Sequence, residues 1–559
     1  MAATDSPAAS LAPSDTSSYR SIFEKLDSAA WTDAKAAILA LDEKDAMRPY
    51  LLARMYVAKD SPRVELFDIL DLLAKAPHLP QAEQLSRLAV KRGAQILPDR
   101  PQIRQLVYTG GSPQRGILKP IKGDPVSDIL QPQIAAAIKA DTPSLAESLL
   151  ASQGTGITPA CLTEIRQRIA WSYFITGDVA NARRLSTQAT AEGNGPYMAP
   201  AYWVAGLSSW RQKDWDGAAT AFANVAARAD DSDLRSAGYY WAARANMAAR
   251  RPQKVTPLLQ AAAREEETFY GLLASETLGL PTPRGLQRDH VSSSDRQKMA
   301  AMPGVRIAAT LAKLNRTSDA DEALRYQATL SGADSYDALV HLASDLSLPR
   351  TQLWLAQRSP NGVKARAYTR YPSPDWTPSG GWRVDKSLVF AHALQESRFQ
   401  TDAVSLAGAR GLMQVLPGTA SDMAAMRGES FNPAELNMPA VNMEYGQRYL
   451  ERLSGMSATD GLLAKVIAAY NAGPLPVERW KYQIRDEGDP LLFIESVPYY
   501  ETRAYVNVVL RNYWMYQMEN GGRSASLTAM AQGLWSRFPG KQGELAVRMT
   551  AAGRAAGAD

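Results

Sequence analysis

The chain has 559 residues, room for about three or four domains at roughly 150 residues each. Hydrophobic side chains make up 45% of it, and 62 basic against 57 acidic groups leave a net charge of +5. That balance suits a weak attraction to an acidic polymer or an ordinary solvated surface, and it lacks the dense Lys/Arg stripe of a nucleic-acid binder. A lone cysteine, Cys161, excludes an internal disulfide. The four histidines, His78, His290, His341 and His392, are scattered, with no His-Glu-x-x-His or paired Cys-x-x-Cys, so no metal is expected. A Walker-type phosphate loop is missing as well, and no cofactor is implied. No apolar run reaches the roughly 18 residues of a membrane-spanning helix.

Residues 1–18 read as disordered. The start has neither a basic n-region nor an apolar h-region. Its Ala/Ser/Pro/Thr/Asp-rich text is nevertheless of the kind that comes after a removed export signal, with Met1 an added start. Residues 19–280 carry helical periodicity almost throughout, with no convincing strand. A weak repeat runs through them. Ala170-Trp171-Ser172-Tyr173-Phe174 precedes Thr176-Gly177-Asp178, Trp203-Val204-Ala205-Gly206-Leu207 precedes Gln212-Lys213-Asp214, and Tyr239-Tyr240-Trp241-Ala242-Ala243 precedes Ala249-Arg250-Arg251. The spacing, about 36 residues, is close to that of tetratricopeptide arrays. Such units bury their apolar faces only on one another, which predicts an all-α solenoid; its face is either a surface for a long ligand or plain helical packing.

Two Pro-rich segments, around 280–284 and 371–381, punctuate the rest of the chain. Residues 281–366 read as a helical linker domain, 367–520 as a separate domain, and 521–559 as a loose Gly/Ala/Ser-rich tail in which Leu534 to Phe538 is the one stretch able to dock.

In the domain over 367–520, Lys386 to Phe399 (KSLVFAHALQESRF) is apolar nearly all round, which predicts a buried helix. Glu396 near its end is partly desolvated and close to the negative end of the helix dipole, and both effects raise a carboxyl pKa. A glutamic acid protonated near neutral pH is what a glycosidic oxygen needs as proton donor; a frayed helix end facing water is the bland reading. Ser405 to Ala420 is a Gly-punctuated loop entering a helix that Thr419 is placed to cap. Asp460 to Pro474 (DGLLAKVIAAYNAGP) reads as a helix capped by Asp460 and stopped by Gly473-Pro474, with Tyr470 and Asn471 at its tip. Phe493 to Val506 opens a last helix.

These four segments, in this order, resemble the soluble lytic transglycosylases, the slt-type members of glycoside hydrolase family 23 with a goose-lysozyme-like catalytic domain. The matching text is Glu396-Ser397, Gly411-Leu412-Met413-Gln414, Ala469-Tyr470-Asn471-Ala472-Gly473 and the Pro-x-x-Glu-Thr-Arg-x-Tyr-Val stretch over 498–506. Tyr270-Gly271-Leu272-Leu273-Ala274 adds a looser match in the helical region. The resemblance implies an N-terminal α-superhelix, solenoid or ring, then a linker domain and a lysozyme-like domain. It implies Glu396 as catalytic acid/base, and Ser405, Met413, Gln414, Tyr470, Asn471 and Glu501 as substrate-binding or cleft residues, with the Tyr470 hydroxyl near the catalytic carboxyl. Leu416 stands where the family usually has Met. Residue by residue, a turn at Ser405, loop bonding by Gln414, a core tyrosine at 470, a cap at Asn471, an ion pair at Glu501 and simple packing by Met413 are the plain alternatives.

A two-carboxyl glycosidase needs an acid and a nucleophile or base, and the catalytic loop offers no second acid; Asp402 lies outside the glycine motif. The resemblance implies cleavage of the β-1,4 bond between N-acetylmuramic acid and N-acetylglucosamine in peptidoglycan, with the sugar's own C6 hydroxyl closing a 1,6-anhydro ring, in the periplasm. The partners implied are glycan strands. A lysozyme-type hydrolase, a chitin-cutting relative and a non-catalytic glycan-binding scaffold are the competing readings.

Overall fold

The computed structural model describes residues 11–13, 15–288, 291–540 and 545–549. His290 and most of the stretch expected to be disordered at the N-terminus lie outside the described residues, as does the end of the C-terminal tail. Among the described residues there are 27 α-helices and two short two-stranded antiparallel ribbons. None of these helices is long and apolar enough to cross a membrane. The chain is all-α, and it divides into two compact units that do not follow chain order.

The first unit joins the residues up to Gly111 to Gln287–Trp376. Helices Ser17–Asp27, Met47–Val57 and Ala82–Lys91 share one apolar core with Pro303–Lys313, Thr317–Leu330 and Ala333–Asp345. Tyr50, Leu311 and Leu324 are fully buried in it. Arg54 pairs with Asp319 at 2.8 Å and Arg316 with Asp27 at 2.9 Å, while the Arg316 guanidinium lies 4.0 Å from the Phe23 ring centre. Leu11 and Thr16, in the stretch expected to be disordered, are buried.

The second unit joins Ser112–Leu286 to Thr377 and beyond. Its first part is the expected solenoid. Helices Pro159–Thr176, Val179–Glu192, Met198–Arg211, Trp215–Arg228 and Ser232–Ala248 stack in sequence. Helices Met198–Arg211, Trp215–Arg228 and Ser232–Ala248 share a seam of rings: Trp203 meets Phe222 at 5.3 Å and Trp210 meets Trp241 at 5.1 Å. Gly206 sits on that seam because a Cβ there would lie 2.6 Å from the Phe222 ring. The polar turns end in aspartates whose side chains cap the next helix: Asp178 accepts from the Asn181 amide and Asp214 from the Gly217 amide.

In the second part, helix Tyr500–Glu519 is buried along most of its length, and helices Lys386–Glu396 and Leu463–Ala472 pack on it. The tail is not loose up to residue 540. Helix Ala525–Ala531 forms, and Trp535 is fully buried with its indole N–H donating to the Gly488 carbonyl at 2.8 Å. Two large apolar rings, Trp535 and Phe538, are reason enough for Gly/Ala/Ser-rich text to dock. Two expected caps also differ. The glycine-loop helix starts at Pro417, ahead of Thr419, because proline is pre-set for the first helical position. Asp460 lies in a left-handed turn and pairs with Lys481 at 2.9 Å, and the helix begins at Leu463.

Candidate active site

Helix Lys386–Glu396 begins on Asp385, whose carboxylate accepts from the Ser387 amide at 2.8 Å. The other oxygen accepts from the Tyr513 hydroxyl at 2.9 Å and the Gln517 amide at 3.0 Å, which fixes this helix on Tyr500–Glu519. Ser387 through Ala393 are all buried. At the far end Arg398 and Phe399 turn into the left-handed region, at φ 51° and 62°, and Phe399 folds back on Phe390 with ring centres 5.7 Å apart. The Ser397 hydroxyl donates to the Leu412 carbonyl at 2.8 Å, stitching the helix end to the glycine loop. Glu396 is thereby held at the end of a rigid element.

Its carboxyl is largely withdrawn from water. Burial raises its pKa from the usual 4.5 to about 7, a hydrogen bond from Tyr505 pulls the other way, and the charge of Glu501 pushes it up further. The Tyr505 hydroxyl donates to Oε1 at 2.6 Å and is the only hydrogen-bond partner of the Glu396 carboxyl among the described residues. Beneath it His392, fully buried, touches the Tyr470 ring at 4.8 Å and the Tyr505 ring at 6.0 Å. Burial lowers the His392 pKa to about 4, so the imidazole is neutral; its Nδ1 lies 2.9 Å from the Leu388 carbonyl. Glu396 therefore has aromatic and neutral neighbours, and among the described residues no cation is close enough to hold it ionised. A cavity of about 530 Å³ reaches its neighbours but not Glu396 itself: Gln395, Glu501 and Tyr505 line it, with Gln114 and Ile117 from the strap, the irregular stretch over 112–124 that precedes the solenoid helices.

The expected supporting residues fall into two groups. Glu501 is exposed, in the first turn of Tyr500–Glu519, on the cavity wall. Tyr470 sits in the aromatic cluster close enough to feel the charge of Glu396; its hydroxyl donates to the Met413 carbonyl at 2.8 Å, and the Tyr505 hydroxyl makes the hydrogen bond to the Glu396 carboxyl. Asn471 accepts from the Thr502 hydroxyl at 2.6 Å and ties two helices together. The Ser405 hydroxyl accepts from the Ala409 amide at 3.0 Å, closing a tight turn. Gln414, at φ 47°, donates to the Gly411 carbonyl at 2.9 Å and the Ala403 carbonyl at 3.3 Å, holding the loop from within. Met413 differs most from expectation. It is fully buried against Gly446, where a Cβ would lie 2.1 Å from the Met413 sulfur, so it fills core and presents no surface to a ligand. Leu416 is exposed. Gly411 is required twice over: its φ is 72°, and a Cβ would meet the Leu436 carbonyl oxygen at 2.2 Å.

Tyr505 and His392 were not picked out by sequence reasoning. Tyr505 lies four residues after Glu501, on the same helix face, inside the 498–506 stretch; His392 lies four residues before Glu396. Helical spacing alone was the signal for both.

Fold and site together describe an all-α, superhelical protein with a lysozyme-like domain that holds one desolvated glutamic acid at a cleft. Residues 378–492 match the family described as "Transglycosylase SLT domain". Over 200 residues the chain is 34% identical to a soluble lytic murein transglycosylase of Salmonella typhimurium, covering 34% of this chain and 29% of that protein. Over 197 residues it is 33% identical to the soluble lytic murein transglycosylase of Escherichia coli K12, with the same coverage of 34% and 29%. The matched stretch thus spans under a third of these relatives. Among solved structures, the 70 kDa soluble lytic transglycosylase from Escherichia coli superposes with a TM-score of 0.55 at 18% identity, covering 93% of this chain and 99% of that one. An inactive mutant of the lytic transglycosylase Slt from Pseudomonas aeruginosa gives 0.53 at 20% identity, covering 91% and 86%. At such identities the likeness is one of fold.

Proposed function

We propose that the protein is a peptidoglycan lytic transglycosylase acting in the periplasm, with Glu396 as its acid/base. One observation carries the reading: Glu396 is a desolvated carboxyl with a pKa of about 7, bonded among the described residues only to Tyr505, which lines a cavity with Gln395 and Glu501. Protonated at neutral pH, it donates to the oxygen between N-acetylmuramic acid and N-acetylglucosamine as that bond breaks. The resulting carboxylate keeps the Tyr505 hydrogen bond, which steadies the anion while the oxocarbenium-like sugar persists. It then takes the proton of the sugar's C6 hydroxyl as that oxygen closes on C1. Glu396 ends protonated, no water is consumed, and the tethered hydroxyl brings a high effective molarity.

The similarity of the 378–492 domain to lytic murein transglycosylases supports the same reading. Glu501 on the cleft wall is the group a water-using, lysozyme-type reaction would call on. Product mass separates the two: incubated with purified sacculi, the protein should release anhydro-muropeptides, whereas hydrolysis adds one water to each product. Glu396→Gln should cut the rate by at least about a thousandfold while glycan binding survives. Ample anhydro product from that variant would sink the assignment.

A further inference from the structure

The ribbon that pairs Val107 with Ser359 and Tyr108 with Arg358 lies at the surface of the first unit. Its apolar side chains stand outward: Val107 is 50% exposed and Tyr108 63%. Val363, 64% exposed, joins them, because the turn at Gly362 passes close to Val107; a Cβ added at Gly362 would lie 3.7 Å from that side chain. Apolar residues exposed singly need no explanation, whereas three together do.

Behind them the charges are one-sided. The Arg358 guanidinium lies 5.7 Å from the Tyr108 ring centre and 5.1 Å from that of Trp354, and Arg325 lies 5.7 Å from the same Trp354 centre. Arg358 donates to the Trp354 carbonyl at 3.4 Å, and Arg325 Nε to the Thr351 hydroxyl at 2.9 Å. Arg350 stands near enough that its charge and that of Arg358 both act on Arg325. Arg104, Arg325, Arg350 and Arg358 form no ion pair with the described residues. Lys364 and Arg366, both exposed, follow Val363 in the chain.

Two carboxylates share this neighbourhood. Asp321 acts on Arg325, but it is buried and takes the Thr351 hydroxyl as its partner. Asp337 acts on Tyr336, as Arg358 does. The face therefore combines outward apolar groups with guanidinium forks that lack a counter-ion, and each half calls for different surroundings. A bilayer interface supplies both. Its headgroup layer takes valine and tyrosine side chains, and its phosphates match the planar guanidinium. A peptide ligand would instead call for a groove to receive its side chains, whereas these apolar groups project from the ribbon.

We propose that this face docks the protein on an anionic lipid bilayer, with Val107, Tyr108 and Val363 in the headgroup layer and the arginines on lipid phosphates. The inference is independent of the catalytic reading, since every residue in it belongs to the first unit.

The test uses the full chain in co-sedimentation with vesicles of phosphatidylglycerol and phosphatidylcholine in equal parts, and with vesicles of phosphatidylcholine alone, at low and high salt. Binding to the anionic vesicles should exceed that to the neutral ones, and salt should weaken it. Arg104→Glu with Arg350→Glu should weaken it at least about twentyfold at low salt and flatten the salt dependence. Tyr108→Ser with Val363→Ser should weaken it about tenfold and leave the salt dependence in place. All four side chains reach solvent, so both variants should keep the melting temperature of the unsubstituted protein. Equal binding to both kinds of vesicle, binding to neither, or binding that both variants retain in full overturns the proposal. Soluble polyglutamate is the counter-probe. If it binds and the anionic vesicles do not, the face is a receptor for an acidic polypeptide and the membrane assignment falls.

Discussion

Tyr505 acts on Glu396 in one direction and burial in the other. Its hydroxyl, 2.6 Å from Oε1, favours the ionised form, and without it the desolvation of the carboxyl is unopposed. Tyr505→Phe should therefore move the alkaline limb of the pH–rate profile up by about one unit and lower kcat about tenfold, since the carboxylate formed after proton donation loses its hydrogen-bond partner. A profile that stays in place would show that the hydroxyl does not couple to the acid. The same pKa has a consequence for stability. A carboxyl raised from 4.5 to about 7 on folding contributes stability that is whole below pH 4.5 and is lost as pH rises through 7. Glu396→Gln cannot ionise, so its melting temperature should exceed that of the unsubstituted protein at pH 8. The corresponding difference in unfolding free energy, about 3 kcal/mol at most by linkage, should vanish at pH 4. Glu396 itself was legible from sequence because an apolar helix leaves a terminal carboxyl few ways to reach water. The fates of Met413 and Tyr470 were not, because whether a side chain faces the groove or the core depends on Gly446 and on the Met413 carbonyl, which no local pattern reveals.

At the scale of elements, the helix that carries Glu396 depends on its first residue as much as on its last. Asp385 accepts three hydrogen bonds, from the Ser387 amide, Tyr513 and Gln517, so it is both cap and clamp. Asp385→Ala should cost about 3 kcal/mol, a lost cap plus two polar side chains left short of a partner, read as a lower urea midpoint. It should also lower kcat, because the opposite end of that helix positions Glu396. The periodicity over 386–396, 463–472 and the solenoid repeats was readable, since bulky-then-small alternation can be satisfied only by helix on helix. Helix starts were less so: Pro417 and the left-handed turn at Asp460 overrode the capping residues that local sequence favours. The docking of Trp535 required knowledge of a slot beside Gly488, 47 residues earlier in the chain.

For the whole chain, the pairing of residues before Gly111 with Gln287–Trp376 is the feature that composition could not disclose, because the two stretches share a core without sharing a motif. Within the second unit, the Tyr270-Gly-Leu-Leu-Ala motif has a physical reason. The Tyr270 hydroxyl donates to the fully buried Glu495 at 2.7 Å, and Arg115 grips the same carboxylate through two nitrogens, at 2.9 and 3.2 Å, while also bonding Asp233. One carboxylate thus joins the strap before the solenoid, helix Phe269–Thr277 and the segment that leads into Tyr500–Glu519, the helix carrying Tyr505. Breaking a buried pair from one side leaves the other charge stranded, so Glu495→Gln should cost about 3 kcal/mol in thermal or urea unfolding. Arg115→Met alone should cost a similar amount. The double variant, with neither charge left unpaired, should lose clearly less than the sum, a coupling of about 2 kcal/mol in the double-mutant cycle. Strict additivity would mean that these groups hold the unit together independently, and that the strap is fastened by its backbone contacts, the Arg511 bond to Pro113 among them, rather than by this carboxylate.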